Sequence, residues 1–474
     1  MLDGISRVNV NRLGMLRFKE AGGKYLLTND SGDFTFLKKD IFNKFIRGTL
    51  DTSGRVYRNL SKRNFSYPEL DKNELVDSFR LRNRFLWQGP SLHIIVATLR
   101  CNQKCTYCQA SSHPIRATGL DMKISTAKKT VDQIFKTFSP VITIEFQGGE
   151  PLLNWEVVKY TINYARQKNN QHNKSLRISI VSNFSLLSDD KLKFLARQGV
   201  SLCTSLDGPR EVHNQNRLSY GPKNKNYETT TYWINRVKNK YKKIYLNALV
   251  TVTKHSLNYP RQIIDEYVKW GFNQIHLRPL SYLGVSGINR ETIGYTDKEF
   301  MDFYRKACDY LIHLNQAGKT KLTERLICIF LTKIFNKTDP GYLDIRSPCG
   351  AVTGQVLYNY NGKIYSCDEA RMVGDDLFCI GSVSSGVRKG QHARAVSALT
   401  LSSLLDGLYC DYCVYKPYCG VCPVCNYASS GNIFSQLSVN QCKINKATLD
   451  YIFAKLRIPK VKKIFEKWVP KRGG

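Results

Sequence analysis

No run of eighteen consecutive apolar residues occurs anywhere in the 474-residue chain, so a helix spanning a membrane is not expected. The start, Met1-Leu2-Asp3-Gly4, lacks the charged-then-apolar pattern of a secretory signal, and a cytoplasmic protein is expected. Acid is scarce: 38 Asp and Glu stand against 71 Lys and Arg, a formal charge of +33. Such an excess suits an acidic partner, whether a peptide, a nucleic acid or an anionic surface. The basic residues are spread along the whole chain, in company with many Lys, Asn, Ile and Tyr, so they do not by themselves indicate nucleic acid. The chain is too long for one compact core, and two or three domains are expected. Cysteine is not scarce. Fifteen cysteines in a cytosolic chain point to metal or redox chemistry rather than disulfides.

Three of them stand in Leu99-Arg100-Cys101-Asn102-Gln103-Lys104-Cys105-Thr106-Tyr107-Cys108. The apolar run Leu92–Leu99 reads as a buried strand, which puts the thiols on the loop at its C-terminal end. Ligand sites of α/β sheets and barrels gather at that end. Structural zinc usually takes four ligands, often from two Cys-x-x-Cys pairs. No fourth cysteine lies near this triplet. Three thiolates on one loop suit one face of an iron–sulfur cube and leave a metal position open; buried or zinc-bound thiols are the plainer alternative. A second motif follows, Phe146-Gln147-Gly148-Gly149-Glu150-Pro151-Leu152-Leu153. Two glycines let backbone approach a ligand closely. Glu150 adds a carboxylate, the right partner for an ammonium. The same residues also suit an ordinary strand-to-helix turn.

Five segments are expected along the chain. Residues 1–86 form a small α+β domain, with a hairpin over Gly23–Leu37, a helix over Lys38–Arg47 and a second near Glu69–Arg80. Residues 87–285 alternate strand and helix. The strand-like runs are Leu92–Leu99, Val141–Phe146, Leu176–Val181, Val200–Leu206, Ile244–Thr253 and Gln274–Leu277. The helical ones are Ser125–Phe138, Trp155–Gln167, Ser188–Arg197, Glu228–Lys240 and Tyr259–Trp270, with Ser125 and Ser188 as N-caps. This repeat predicts a parallel sheet buried on both faces and curved into an open barrel. Residues 286–345 read as a helical linker in which Cys308 and Cys328 are inert buried thiols, as is Cys203 in its strand. Residues 346–445 are cysteine-rich, and 446–474 form a basic tail that reads as a peripheral or frayed helix.

Cys-x3-Cys-x2-Cys with an aromatic residue before the last cysteine, here Tyr107, resembles the radical S-adenosylmethionine (SAM) superfamily. The resemblance implies a six-stranded partial (β/α)6 TIM barrel and a [4Fe–4S] cluster on Cys101, Cys105 and Cys108. Gly148, Gly149 and Glu150 would hold the amino group of SAM. Asn183, in Ser182-Asn183-Phe184, would hydrogen-bond its ribose or carboxylate, although relatives often have Gly where Phe184 stands. Ser205 and Arg217 would grip the carboxylate, Arg by its planar fork. Capping of turns is the alternative for these three, and for Asp207. The reduced cluster would cleave SAM to a 5′-deoxyadenosyl radical that takes hydrogen from a substrate.

Near the C-terminus stand Cys349, Cys367, Cys410, Cys413, Cys419, Cys422, Cys425 and Cys442. Two zinc sites are one reading of so dense a group. The order resembles the SPASM extension of radical SAM peptide maturases, which carries two auxiliary [4Fe–4S] clusters. That implies Cys349 and Cys367 on the first, and Cys410, Cys413, Cys419 and Cys442 on the second. Cys422 and Cys425 depart from the usual spacing; either both complete the first cluster or one is free and leaves a position open. In sulfatase-maturing relatives an Asp beside the cysteine corresponding to Cys367 takes the substrate proton, which marks Asp368 as catalytic; a turn acid is the alternative. The N-terminal pattern resembles the winged-helix peptide-recognition domains of peptide-modifying enzymes, and packing against the main domain is the other reading.

The runs Cys108-Gln109-Ala110-Ser111, Glu145–Asn154 and Tyr415–Pro423 resemble the HxsB maturases of His-Xaa-Ser systems. That implies oxidation of a ribosomally made precursor peptide, a second radical SAM protein as partner, and an electron donor such as flavodoxin or ferredoxin. No membrane or nucleic-acid partner is expected. Two alternatives remain: a formylglycine-generating sulfatase maturase, and a non-catalytic metal-binding module for nucleic acid.

Overall fold

The computed structural model describes residues 13, 14, 16–68, 70–221, 224–387, 410–433 and 440–470. The first segment holds three antiparallel strands, β1 (Arg17–Ala21), β2 (Lys24–Thr28) and β3 (Phe34–Lys38). The expected hairpin is β2–β3, and β1 extends it. Helices Lys39–Arg47 and Arg55–Ser61 close a small core of Leu27, Leu37, Phe42, Phe45, Ile46, Leu60 and Phe65. A third helix, Lys72–Asn83, starts where the Asp71 carboxylate accepts from the Asn73 and Glu74 N–H groups.

Strands β4 (Leu92–Thr98), β5 (Val141–Gly148), β6 (Ser175–Val181), β7 (Ser201–Ser205), β8 (Leu246–Thr251) and β9 (Leu277–Arg278) lie side by side in chain order, all parallel. Helices Ile124–Ile134, Trp155–His172, Asp189–Arg197, Asn226–Lys240 and Pro260–Lys269 connect them, each burying one apolar stripe. The Ser188 hydroxyl accepts from the Lys191 N–H as expected of an N-cap. Ser125 does not: its helix opens at Ile124 after Lys123, with no side-chain cap, and Ser125 lies inside the first turn.

Two features of the expected barrel are corrected. The sheet stays open, as a partial barrel does, but among the described residues the six strands belong to a sheet of ten rather than standing alone. The other four come from the cysteine-rich segment: β10 (Gln355–Tyr358) pairs in parallel with β4, and β11 (Lys363–Tyr365), β12 (Cys379–Ser382) and β13 (Gly386–Val387) follow antiparallel. An open sheet leaves the hydrogen-bonding edge of its first strand free, and β10 covers it. Nor is the sheet buried on both faces. Ile142, Ile144 and Phe146 of β5 pack under the helices, while Thr143, Glu145 and Gln147 between them remain half-buried, the last two lining a cavity.

Helices Asp297–Gln316 and Arg325–Phe335 carry the buried Cys308 and Cys328. The helix Asn440–Leu456 runs straight through the boundary expected at 445/446, and Pro459–Trp468 follows with Val461, Phe465 and Trp468 buried, so this end is packed rather than frayed. The N-terminal sheet rests on the cysteine-rich segment. The Thr28 hydroxyl donates to the Val414 carbonyl at 2.7 Å, Arg17 Nε to Asp411 O at 2.6 Å and the Tyr418 hydroxyl to Gly32 O at 3.1 Å. Among the described residues no helix is long and apolar enough to cross a membrane.

Candidate active site

The loop after β4 is braced on every side. Gln103–Cys105 forms an antiparallel ribbon with Arg217–Ser219, placing Arg217 opposite Cys105. The Thr106 N–H donates to Asn216 O at 2.9 Å, Asn289 Nδ2 to Thr106 O at 2.7 Å, and the Val285 N–H to Cys108 O at 2.9 Å. Arg100 makes a two-pronged pair with Asp121, at 2.9 and 2.6 Å. The Tyr107 hydroxyl donates to Asp207 at 2.7 Å, and Arg217 Nε lies 3.3 Å from the same carboxylate oxygen while the guanidinium covers the Tyr107 ring. Asp207 is fully buried. Burial pushes its pKa up; Arg217, Tyr107 and the Thr251 N–H pull it back. This carboxylate therefore ties the cysteine loop to the end of β7 rather than merely capping a turn.

Cys101, Cys105 and Cys108 open onto one cavity of about 520 Å³. Burial pushes the Cys101 thiol up, and the charges of Cys105 and Cys108 push it further, so the three sulfurs share one neighbourhood. Cys105 is pushed up to about 11 by burial, with Arg217 opposing. Gly148, Gly149, Glu150, Asn183, Ser205 and Arg217 line the same cavity. The glycines are needed against the neighbouring loop. A Cβ on Gly149 would stand 2.1 Å from Arg100 O, and one on Gly148, at φ +119°, 2.5 Å from Thr98 O. Glu150 Oε1 accepts from the Leu152 N–H at 3.0 Å and the Ser182 hydroxyl at 2.8 Å, and Oε2 accepts from the Asn183 N–H at 2.8 Å. Burial raises its pKa against these donors. Asn183 Nδ2 reaches Asn102 Oδ1 at 3.0 Å and Cys101 Sγ at 3.8 Å, linking β6 to the cysteine loop.

Asp368 follows Cys367 at the start of the helix Asp368–Val373 and lines this cavity too. Its Oδ1 is 3.7 Å from Arg371, which donates to the Ala110 carbonyl of the cysteine loop at 2.9 Å. A second cavity adjoins through His276, Arg278, Pro279, Ser281, Tyr342 and Glu369 and reaches Cys422 and Cys425.

The eight C-terminal thiols fall into two groups. Cys349 is pushed up to about 12, by burial and then by Cys422; Cys367 is raised by burial, then by Glu369, Cys422 and Cys349. The Cys425 N–H donates to Cys422 Sγ at 3.5 Å, across one helix start. In the other group Cys410 is pushed up to about 11 by burial, with Cys413 and Cys442 adding to the rise. Burial pushes Cys419 up to about 12; Asn445, donating to its sulfur at 3.5 Å, opposes this while Cys413 and Cys442 add to it. Among the described residues no three His, Cys, Asp or Glu side chains close around a point as a single metal ion requires. Three thiols lining one cavity suit one face of an iron–sulfur cube. A buried carboxylate and exposed loop backbone beside the first set suit a ligand carrying an ammonium.

The expectations missed the polar inner face: Glu145, Gln147, Cys203, Asn247, His276 and Arg278 all line the cavity. Cys203 is half-buried there rather than sealed in the core. The signal was the two-residue alternation of polar and apolar positions along β5 to β8, which marks one wet face.

Residues 95–266 match the family model of the radical SAM superfamily. A cysteine-type anaerobic sulfatase-maturating enzyme of Clostridium novyi (strain NT) is 29% identical over 291 residues, 59% of this chain and 73% of that protein. The solved structure of histidine-tagged anSMEcpe with bound AdoMet superposes with a TM-score of 0.66 at 20% identity, covering 80% of this chain and all of the other (100%). Streptococcus suis SuiB bound to the precursor peptide SuiA gives 0.50 at 13% identity, covering 88% and 97%. The stretch 95–266 is accordingly similar to the radical SAM superfamily, and the protein is an enzyme that works with S-adenosylmethionine and a [4Fe–4S] cluster.

Proposed function

We propose that this enzyme oxidises a residue of a ribosomally made peptide held between the Cys101–Cys105–Cys108 loop and the cysteine-rich segment. The observation that carries the reading is the one cavity bordered by those three thiols, by Glu150 and Asn183, and by Asp368. Cys101, Cys105 and Cys108 hold the SAM-binding cluster. Cys349 and Cys367, with Cys422 and Cys425, hold one auxiliary cluster, and Cys410, Cys413, Cys419 and Cys442 hold another. When bound, the first cluster and SAM supply one-electron cleavage to a radical that removes hydrogen from the substrate.

The chain's own residues do the rest. Glu150 and the Gly148-Gly149 backbone receive the ammonium of SAM; Ser205 and Arg217 face its carboxylate; Tyr107, pinned by Asp207, keeps the loop in place. Asp368 would take the proton lost by the substrate, with Arg371 fixing its carboxylate, and the remaining electron would pass to the auxiliary cluster that Cys349, Cys367, Cys422 and Cys425 would hold. The open inner face admits a peptide segment from the side of Cys422 and Cys425. The N-terminal sheet, resting on residues 411–418, is the candidate for holding the rest of the precursor. A flavodoxin or ferredoxin supplies the electron, and a second radical SAM protein is the expected companion.

A substrate with His-Xaa-Ser repeats is the preferred reading, on the motif resemblance. The sulfatase-maturase reading is as well supported, by the Clostridium novyi relative. The non-catalytic module falls with the enzyme assignment. The deciding experiment incubates anaerobically reconstituted, reduced enzyme and SAM with His-Xaa-Ser peptides and with Cys- or Ser-containing sulfatase peptides. The expected result is 5′-deoxyadenosine formation coupled to loss of two hydrogens from a His-Xaa-Ser peptide. A formylglycine product on the sulfatase peptides alone moves the assignment to the alternative; no product on any peptide ends the peptide reading.

A further inference from the structure

One cation on the cavity wall has no part in the proposal above. Arg325 opens the helix Arg325–Phe335, and its half-buried side chain lines the cavity near Cys203, whose pKa its charge lowers against the effect of burial. The guanidinium lies over the Tyr342 ring, 5.3 Å from its centroid, and His276 meets the same ring edge-on at 5.7 Å. Among the described residues no carboxylate forms an ion pair with Arg325. The acids around it are turned elsewhere. Glu145 takes Gln147 Nε2 at 2.6 Å and the Ser179 hydroxyl at 3.0 Å. Glu324, its neighbour in the chain, accepts inside the core from the Tyr304 hydroxyl and the Ile327 N–H, both at 2.7 Å. Asp368 faces Arg371. Glu369 acts on Cys349 and Cys367. His276 is held neutral, by burial first and then by Arg278 and Arg325, and brings no counter-charge.

A guanidinium drawn partly out of water without an anion is unfavourable, and its planar fork matches a carboxylate. We infer that Arg325 binds a carboxylate of the substrate, from an Asp or Glu side chain or from a peptide C-terminus. The inference rests on the peptide reading for what carries the carboxylate, and the chain's +33 charge favours an acidic substrate.

Three small probes test it on reconstituted enzyme saturated with SAM, by ligand-observed NMR: N-acetylglutamate α-methylamide, N-acetylalanine and N-acetylglutamine α-methylamide. At least one carboxylate probe should bind about tenfold more tightly than the glutamine probe, a difference of about 1.4 kcal/mol. The tighter of the two identifies a side-chain or a terminal carboxylate. Arg325→Met should abolish the preference and Arg325→Lys keep part of it, with iron content and SAM affinity unchanged. Equal binding of all three probes to the unaltered enzyme overturns the inference whether or not either variant folds. So does a loss of SAM affinity in Arg325→Met with the preference intact, since the carboxylate engaged would then be that of SAM. Arg325-dependent carboxylate binding by an enzyme that modifies no peptide leaves the inference standing and removes the peptide reading.

Discussion

Phe184 sits at φ +66°, a conformation that side chains other than glycine rarely hold. This chain bears the strain, and complete burial of the ring offsets it. Phe184→Ala should therefore lose the ring's packing, about 3–5 kcal/mol, while keeping the left-handed strain of about 1–2 kcal/mol. Phe184→Gly loses the same packing but relieves the strain. Glycine should thus be the more stable of the two variants by about 1 kcal/mol, the reverse of its usual disadvantage to alanine. Denaturant unfolding of both checks it; an alanine variant more stable than the glycine one would show that the backbone is not held in this state. At this scale the cysteines and the Gly-Gly-Glu run were legible because their chemistry lies in local spacing. Asp207 was not. Its partner Tyr107 stands 100 residues away, and nothing near Asp207 in the chain distinguishes it from a turn acid.

The rim between β4 and β5 shows why local motifs and element packing cannot be separated. Gly149 and Glu150 N–H groups donate to Thr98 O and Arg100 O, both at 2.8 Å. The glycine pair thus lets the second rim loop lie directly on the first. Gly149→Ala puts a methyl group against the Arg100 carbonyl, a backbone atom that can yield only by moving the cysteine loop. The expected outcome is loss of the SAM-binding cluster's iron and of SAM affinity, with the iron of the proposed C-terminal clusters retained. Iron and sulfide analysis with equilibrium SAM binding would show it, and normal SAM affinity in this variant would mean the two loops are not coupled. The parallel strands and their helices were readable from apolar periodicity, to within a few residues at their ends. The pairing of β10 with β4 was not, because it joins residues 355–358 to 92–95 and periodicity carries no information about such distant partners. The open inner face was present as alternation along the strands but was overridden by the expectation that parallel sheets are covered on both sides.

For the molecule as a whole, the charge excess is less informative than the titratable groups it has enclosed. Three histidines, His93, His213 and His276, are buried and held neutral, burial being the main cause in each. His93 lies between Pro90 O at 3.1 Å and the Tyr358 hydroxyl at 3.3 Å, where β4 meets β10, and its pKa falls from 6.5 to about 4. The unfolded chain takes up this proton below pH 6.5 and the folded one does not until about pH 4. The histidine's contribution is therefore fully present above pH 6.5 and is lost as the solution is acidified toward pH 4. Buried acids such as Glu150 and Glu324, whose pKa is raised by burial, act in the opposite sense, so the raw pH profile mixes the two. A difference between two proteins isolates the histidine. The stability advantage of the unaltered enzyme over His93→Gln should shrink by about 2 kcal/mol between pH 7 and pH 5. Parallel curves for the two would mean that His93 is protonated in the folded state, and that the junction between the parallel sheet and the cysteine-rich segment is open to water.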